Sequence, residues 1–483
     1  MNVTAAPPQK TSSAAPQSGA TASKGSCCPL LLLIASGTVW FFLGLVLALL
    51  ASLKFHNPHF LAGDAFWTYG RVHAASQTAI LYGFGAQTAL AVGIWLLCRL
   101  GRAALVAPAV VLIGAGLWNT AVTVGVVAIL CGGGTGYEAF EMPRYVAAML
   151  FAGYFLIAIC GLLTFRNRAE EGLYPSQWFV IGSFFWFPWI FTTAAGMLMC
   201  MPVRGVLQAS TAWWYAHNFS AIFLGFAGLA SIFYFVPKLL GRPLHSYHLA
   251  VLAFWSLALF GSWGGFPQGA PLPYWIISMA VVGTVLTAVP LVAVGLNFFH
   301  TVRSDLEALD SHPSLRFAYV ALVFWLVAGA QQIVSVLPNV SALTDYTWFG
   351  VAHWKVFHYG FFAFAVFGAI YYIVPRILDE ANPPAWSPGL LKGHFWLTFF
   401  GLLISYIALL VAGVGEGFVL NDPMYQFIQV MKGTLMGLRV DTLGDLFVVI
   451  GTVLFLLNLA LMFSRHCCRC WMEKMSQMRK ERA

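Results

Sequence analysis

Residues 345–362, DYTWFGVAHWKVFHYGFF, set His353, Lys355 and His358 in a stretch that is otherwise almost wholly apolar. Ionisable side chains in hydrocarbon are costly, so they face a bundle interior and mark a cofactor, a proton path or a counter-charge. His73 and His217 stand early in two other apolar runs. Imidazoles at matched depth on neighbouring helices are what axial haem ligation requires, with the macrocycle slotted between the helices. The bland reading of each histidine, taken alone, is a hydrogen-bonded contact between helices.

The elements that must position these groups are membrane spans. A chain of 483 residues with 60% apolar and 9% charged residues is not a soluble globule. Its mean hydropathy of +0.79 says the same. Apolar runs of about 20 residues, enough to cross a ~30 Å hydrocarbon core as helix, lie near 29–53, 73–98, 103–131, 145–164, 178–202 and 214–237. Six more lie near 246–265, 274–299, 316–337, 350–375, 394–414 and 443–464. The expected fold is an all-α polytopic membrane protein of twelve transmembrane helices. His73, His217, His353, Lys355 and His358 are the ionisable groups expected inside it.

Orientation follows from the basic residues. With a cytoplasmic amino terminus, 18 of the 25 Lys and Arg fall on the cytoplasmic side and six on the other, Lys54, Arg71, Arg144, Arg204, Lys432 and Arg439, with Lys355 inside a span. This asymmetry places both termini in the cytoplasm. The basic pI of 9.0 is therefore topological, and no nucleic-acid partner is expected. Residues 1–28, rich in Ala, Ser, Pro and Gln, read as a disordered cytoplasmic tail, 29–464 as the membrane domain, and 465–483 as a basic cytoplasmic tail. The first apolar run is too long for a signal peptide, so the protein is expected to stay in the membrane. Five of the nine cysteines, Cys27, Cys28, Cys467, Cys468 and Cys470, cluster at the two ends, so no disulfide framework is expected.

A resemblance adds to this reading. WWYAHNFSAIFLGFAGLASIFYFVPKLLGRPLHSYHLAVLAFWSLALFGSWGG at 213–265, FGAIYYIVPRI at 367–377 and GRVHAASQTAILYGFG at 70–85 resemble subunit I of the haem-copper oxidases of the C family, the cbb-type cytochrome c oxidases. The resemblance covers roughly spans 2 to 10. It implies a respiratory complex of a bacterial inner membrane, with other membrane subunits as partners, c-type cytochrome subunits among them. It also implies two haems and a copper.

Carried over residue by residue, the resemblance meets substitutions. His217 keeps the position of a copper ligand. The redox-active Tyr position is Gly261, and the His-His pair that completes the copper site is Pro267 and Gln268. In span 10 the family's His-x-His falls on His353, which keeps the axial position of the high-spin haem, and on Lys355, which replaces an axial ligand of the low-spin haem. The partner of that ligand in span 2 is Ser76. His73 and His358 lie three residues from the lost positions. Their spans run in the same direction, so the pair separates by ~9 Å in depth, unsuited to one iron. Lys355 is expected as a neutral amine, paired with an acceptor, or snorkelled toward the outer interface.

No catalytic residue is assigned with these losses. The expected function is that of a subunit I-like component of a respiratory electron-transfer complex, its own oxygen-reducing centre degenerate, with at most one haem b, on His353, and no copper. The alternative is a non-catalytic scaffold or assembly paralogue with one haem or none. Ser246, Tyr247 and Tyr234 sit where the family draws protons from the cytoplasm, although interfacial Tyr and Ser account for them equally well. The Gly-rich LCGGGTGYEAFEMPRY, 130–145, lacks the strand-to-helix context of a phosphate loop.

Overall fold

The computed structural model describes residues 27–303 and 307–482. The expected tail 1–28 lies outside the described residues, apart from the two cysteines that begin the first helix. Every regular element among the described residues is helical. The membrane domain runs α1 (Cys28–Leu53), α2 (Tyr69–Gly101), α3 (Pro108–Leu130), α4 (Arg144–Arg166), α5 (Pro175–Cys200) and α6 (Val206–Leu240). It continues with α7 (Tyr247–Trp263), α8 (Tyr274–Val302), α9 (Pro313–Ser335), α10 (Trp348–Leu378), α11 (Pro388–Leu420) and α12 (Phe427–Cys467).

Of the twelve expected spans, eleven are present among the described residues as helices long and apolar enough to cross a membrane, and the twelfth, α7, is a shorter apolar helix; two differ in length from expectation. α7 is the short one, about 25 Å by helical rise. It stops where Gly264 and Gly265 follow Trp263, and Gly265 takes φ 98°, a conformation that favours glycine. α12 starts well before the expected residue 443, and its helix continues through the expected basic tail to Arg482. Lys432, Arg439 and Asp441 lower the hydropathy of the helix ahead of residue 443, which hid the start.

Three helices form the inside of the bundle. The apolar windows of α2, α6 and α10 are 94, 89 and 83% buried, whereas none of the other eight long spans exceeds 50%. Each of the three also widens into a π-helical stretch, at Ala79–Ala86, Asn218–Leu224 and Val356–Ala363. Such π turns displace backbone bonds and recur at functional sites. Here each begins just after a position singled out above: Ser76, His217 and the His353/Lys355 pair.

Three prolines inside the spans are matched by an outside donor. A helical proline has no N–H, which strands the carbonyl four residues earlier; in lipid that carbonyl must be satisfied some other way. For Pro237, in the YFVPK motif, the stranded carbonyl is Phe233 O, and the Tyr174 hydroxyl donates to it at 2.9 Å. For Pro375, in YYIVPR, it is Tyr371 O, which takes the Trp386 indole N–H at 2.9 Å. For Pro188 it is Phe184 O, which takes the Tyr154 hydroxyl at 2.8 Å. The two motifs that carry the resemblance are thus helix ends tied to a neighbouring segment.

Close backbone approach fixes α11 against α12. A Cβ added at Gly444 would stand 2.5 Å from Gly401 O, so only glycine lets the two chains meet there. That contact sets the turn of α12 carrying Asp441 and Asp445.

Candidate functional site

A cavity of about 630 Å³ opens between α2, α6 and α10 and is completed by α1, α9, α12 and the loop after α3. His73, Ser76, His217, His353, Lys355 and His358 all line it. The structure thus brings the singled-out side chains to one place. Their hydrogen bonds decide what each can do.

His217 is fully engaged. Its Nε2 donates to Gly261 O at 2.7 Å, which leaves Nδ1 to accept from Gln332 Nε2 at 3.3 Å. A Cβ at Gly264 would lie 2.7 Å from that same Nε2, so the end of α7 is folded directly onto the ring. Pro267 lines the cavity and offers no donor atom, and the Gln268 amide is turned away to donate to Val336 O. Among the described residues no three His, Cys, Asp or Glu side chains converge as metal ligands. This donor set does not fit a copper centre of three nitrogen ligands.

His358 is a satisfied core histidine. Its Nδ1 donates to Trp354 O at 2.9 Å, its Nε2 accepts from the Ser220 hydroxyl at 3.0 Å, and its ring stacks on Trp354 at 4.3 Å. His73 stacks on Tyr69 at 5.4 Å. His353 lines the same cavity, but its buried Nδ1 has no hydrogen-bond partner. An unpartnered imidazole on a cavity wall fits a single axial ligand.

Lys355 corrects two of the expectations. It neither sits neutral nor snorkels outward. Its Nζ donates to Asp441 Oδ1 and to Asp445 Oδ1, both at 2.6 Å, with all three side chains at most 9% exposed. Such short contacts to two carboxylates belong to a charged ammonium. Opposite, the Ser76 hydroxyl donates to Gly44 O at 2.8 Å. The pair of positions that would hold a bis-histidine haem is therefore occupied by an ion triad and a capped serine, and it does not fit that group.

The expected set of ionisable groups inside the spans was also incomplete. Asp441 and Asp445 stand one turn apart on α12, the spacing that lets both face one partner. Asp445 lay inside the twelfth apolar run and could have been found there. His394, fully buried on α11, accepts from the Tyr371 hydroxyl at 2.8 Å and is ringed by Phe317, Phe367 and Phe455. Gln332 and Ser220 carried no signal, because uncharged polar residues are common in spans.

The Gly-rich segment after α3 lies over the cavity and contributes Glu138, Ala139 and Glu141 to its wall. Tyr82 pins it by donating to Ala139 O at 2.7 Å, and the Tyr215 hydroxyl donates in turn to Tyr82 at 2.5 Å. Burial and the neighbouring Glu138 push the Glu141 carboxyl up to about 8, against a smaller opposing effect of the Thr78 hydroxyl. Ser246 is a helix cap: its Oγ accepts from Leu249 N at 3.3 Å, and Asn297 holds its backbone from both sides. Cys467 is an exposed free thiol; the side chains of Cys468 and Cys470 lie outside the described residues.

The family profile described as cytochrome c and quinol oxidase polypeptide I matches residues 29–447. The chain belongs to that family. Among its relatives is the Cbb3-type cytochrome c oxidase subunit CcoN1 of Stutzerimonas stutzeri, 25% identical over 87% of this chain and 91% of the relative. A cytochrome c oxidase subunit 1 homolog of Azorhizobium caulinodans is 25% identical over 88% of this chain and 80% of its own. A haem-copper terminal oxidase dimer seen by cryo-electron microscopy shares the fold, with a TM-score of 0.67 at 14% identity over 91% of this chain and 84% of its own. As a polypeptide I, the chain is a polytopic membrane component of the respiratory type, in a family whose members use haem and work beside other oxidase subunits.

Proposed function

We propose that this polypeptide I is a respiratory-complex subunit whose own oxygen-reducing centre is dismantled: no copper, no low-spin haem, and at most one haem b held by His353. The observation that carries the reading is the Lys355–Asp441–Asp445 triad, because it gives a low-spin ligand position a partner set that binds no iron. The engagement of both His217 nitrogens supports the copper half. A haem on His353 would supply one iron able to exchange an electron. The chain's own groups would then do the following: His353 would hold the haem iron through an imidazole nitrogen, Gln332 and Gly261 keep His217 in place beside the cavity, and Trp354 with Ser220 keeps His358 out of the ligand set. Partners are other membrane subunits of the complex, c-type cytochromes among them. The location is the bacterial inner membrane, with both ends cytoplasmic.

A second reading, a scaffold without any haem, is favoured by the same triad, which turns a ligand position into a fastener between α10 and α12. Haem quantification, copper analysis and electron paramagnetic resonance of the oxidised chain test both. The expected result is no more than one haem, copper far below one per chain, and no low-spin ferric signal. Haem should vanish in His353→Ala and persist in His358→Ala. One copper per chain, or a low-spin signal at one per chain, overturns the proposal; complete absence of haem selects the scaffold.

A further inference from the structure

On the face where α1 begins, a second recess of about 690 Å³ lies where α2 and α6 finish and α5 and α7 begin. Arg99, Lys238 and Arg242 line it together with Tyr174, Tyr234 and Tyr247. Arg99 is opposed by Glu380 at 3.0 Å, whereas Lys238 is exposed and has no partner among the described residues. The Tyr247 hydroxyl accepts from the Trp178 indole at 3.1 Å, so its own hydrogen remains to be donated. Below Tyr247, α7 shows lipid a row of exposed apolar side chains: Leu252, Trp255 and Leu259. A cationic, hydroxyl-rimmed pocket above an apolar helix face matches an anionic diester with acyl chains, since phosphate takes cations and hydroxyl donors while the chains follow the helix.

We propose that this recess binds the phosphodiester headgroup of an anionic phospholipid. Lys238 supplies the uncompensated charge and Tyr247 a hydroxyl donor, with Arg99 and Arg242 at the rim. The site is independent of the metal chemistry above.

The test is native mass spectrometry of the delipidated full chain in a non-ionic detergent, titrated separately with phosphatidylglycerol, phosphatidylcholine and inorganic phosphate. Phosphatidylglycerol should bind more tightly than phosphatidylcholine. Lys238→Gln should weaken it roughly fivefold, as expected for one interfacial cation, and Lys238→Arg should retain it. Lys238 is exposed, so both variants fold. Equal binding of the two lipids, indifference to Lys238→Gln, or displacement of the lipid by inorganic phosphate at comparable concentration each overturns the proposal.

Discussion

Lys355 shows how one substitution changes the work of its neighbours. A lysine in a span needs its counter-charge close at hand, and the carboxyl groups of Asp441 and Asp445, each at 2.6 Å, supply it. Removing the cation alone would strand both carboxylates in a buried site, which costs about 3–5 kcal/mol. Lys355→Met should therefore lower the thermal midpoint of the purified protein sharply. The triple variant Lys355→Met, Asp441→Asn, Asp445→Asn should recover most of it, because neutral groups of similar size replace an ion cluster at little net cost. A single variant as stable as the triple would show that the triad bears no stability. At this scale the sequence reached the cation and missed its partners. Lys355 announces itself by interrupting an apolar run, whereas Asp441 sits ahead of the run and was read as loop. The free imidazole of His353 and the saturated one of His358 were also indistinguishable in sequence, since the difference lies in Trp354 O and the Ser220 hydroxyl.

At the scale of the helix, the interior prolines are the informative feature. YFVPK and YYIVPR were legible as signatures of family, but their reason was not, because the donors Tyr174 and Trp386 belong to other segments. A double-mutant cycle separates this role from ordinary packing. Tyr174→Phe should cost about 1 kcal/mol in the native background. In a Pro237→Ala background the new backbone N–H reclaims Phe233 O, and Tyr174→Phe should then cost almost nothing. Equal losses in both backgrounds would show that the hydroxyl does not serve the carbonyl. The lengths of α7 and α12 escaped the sequence for a related reason: hydropathy reports where a helix is dry, while its ends are set by Gly264 and Gly265 in one case and continue past two carboxylates in the other.

For the whole molecule, the membrane spans followed from composition and run length, whereas the burial of α2, α6 and α10 did not, because hydropathy does not say which spans lie inside; the skewed placement of Lys and Arg predicts a direction for the bundle. Green fluorescent protein fused after Ala483 should fluoresce, and alkaline phosphatase at the same place should be inactive; the reverse pattern would invert the topology. The triad also has a consequence in time. Lys355 and Asp441 are 86 residues apart in the chain. At about 5–20 residues per second, α10 is synthesised roughly 4 to 17 s before its counter-charges exist. A lone lysine in a span opposes insertion, by up to about 2.5–3.5 kcal/mol at the centre and by less at the early position of Lys355 in α10. Chains truncated after Leu420 should accordingly show α10 accessible to an aqueous thiol reagent at a cysteine introduced at Val356, where the complete chain is protected; protection in both would mean that α10 needs no help. Delivery of α12 is then what commits α10 to the bilayer, so a helix made late decides whether the interior ever closes.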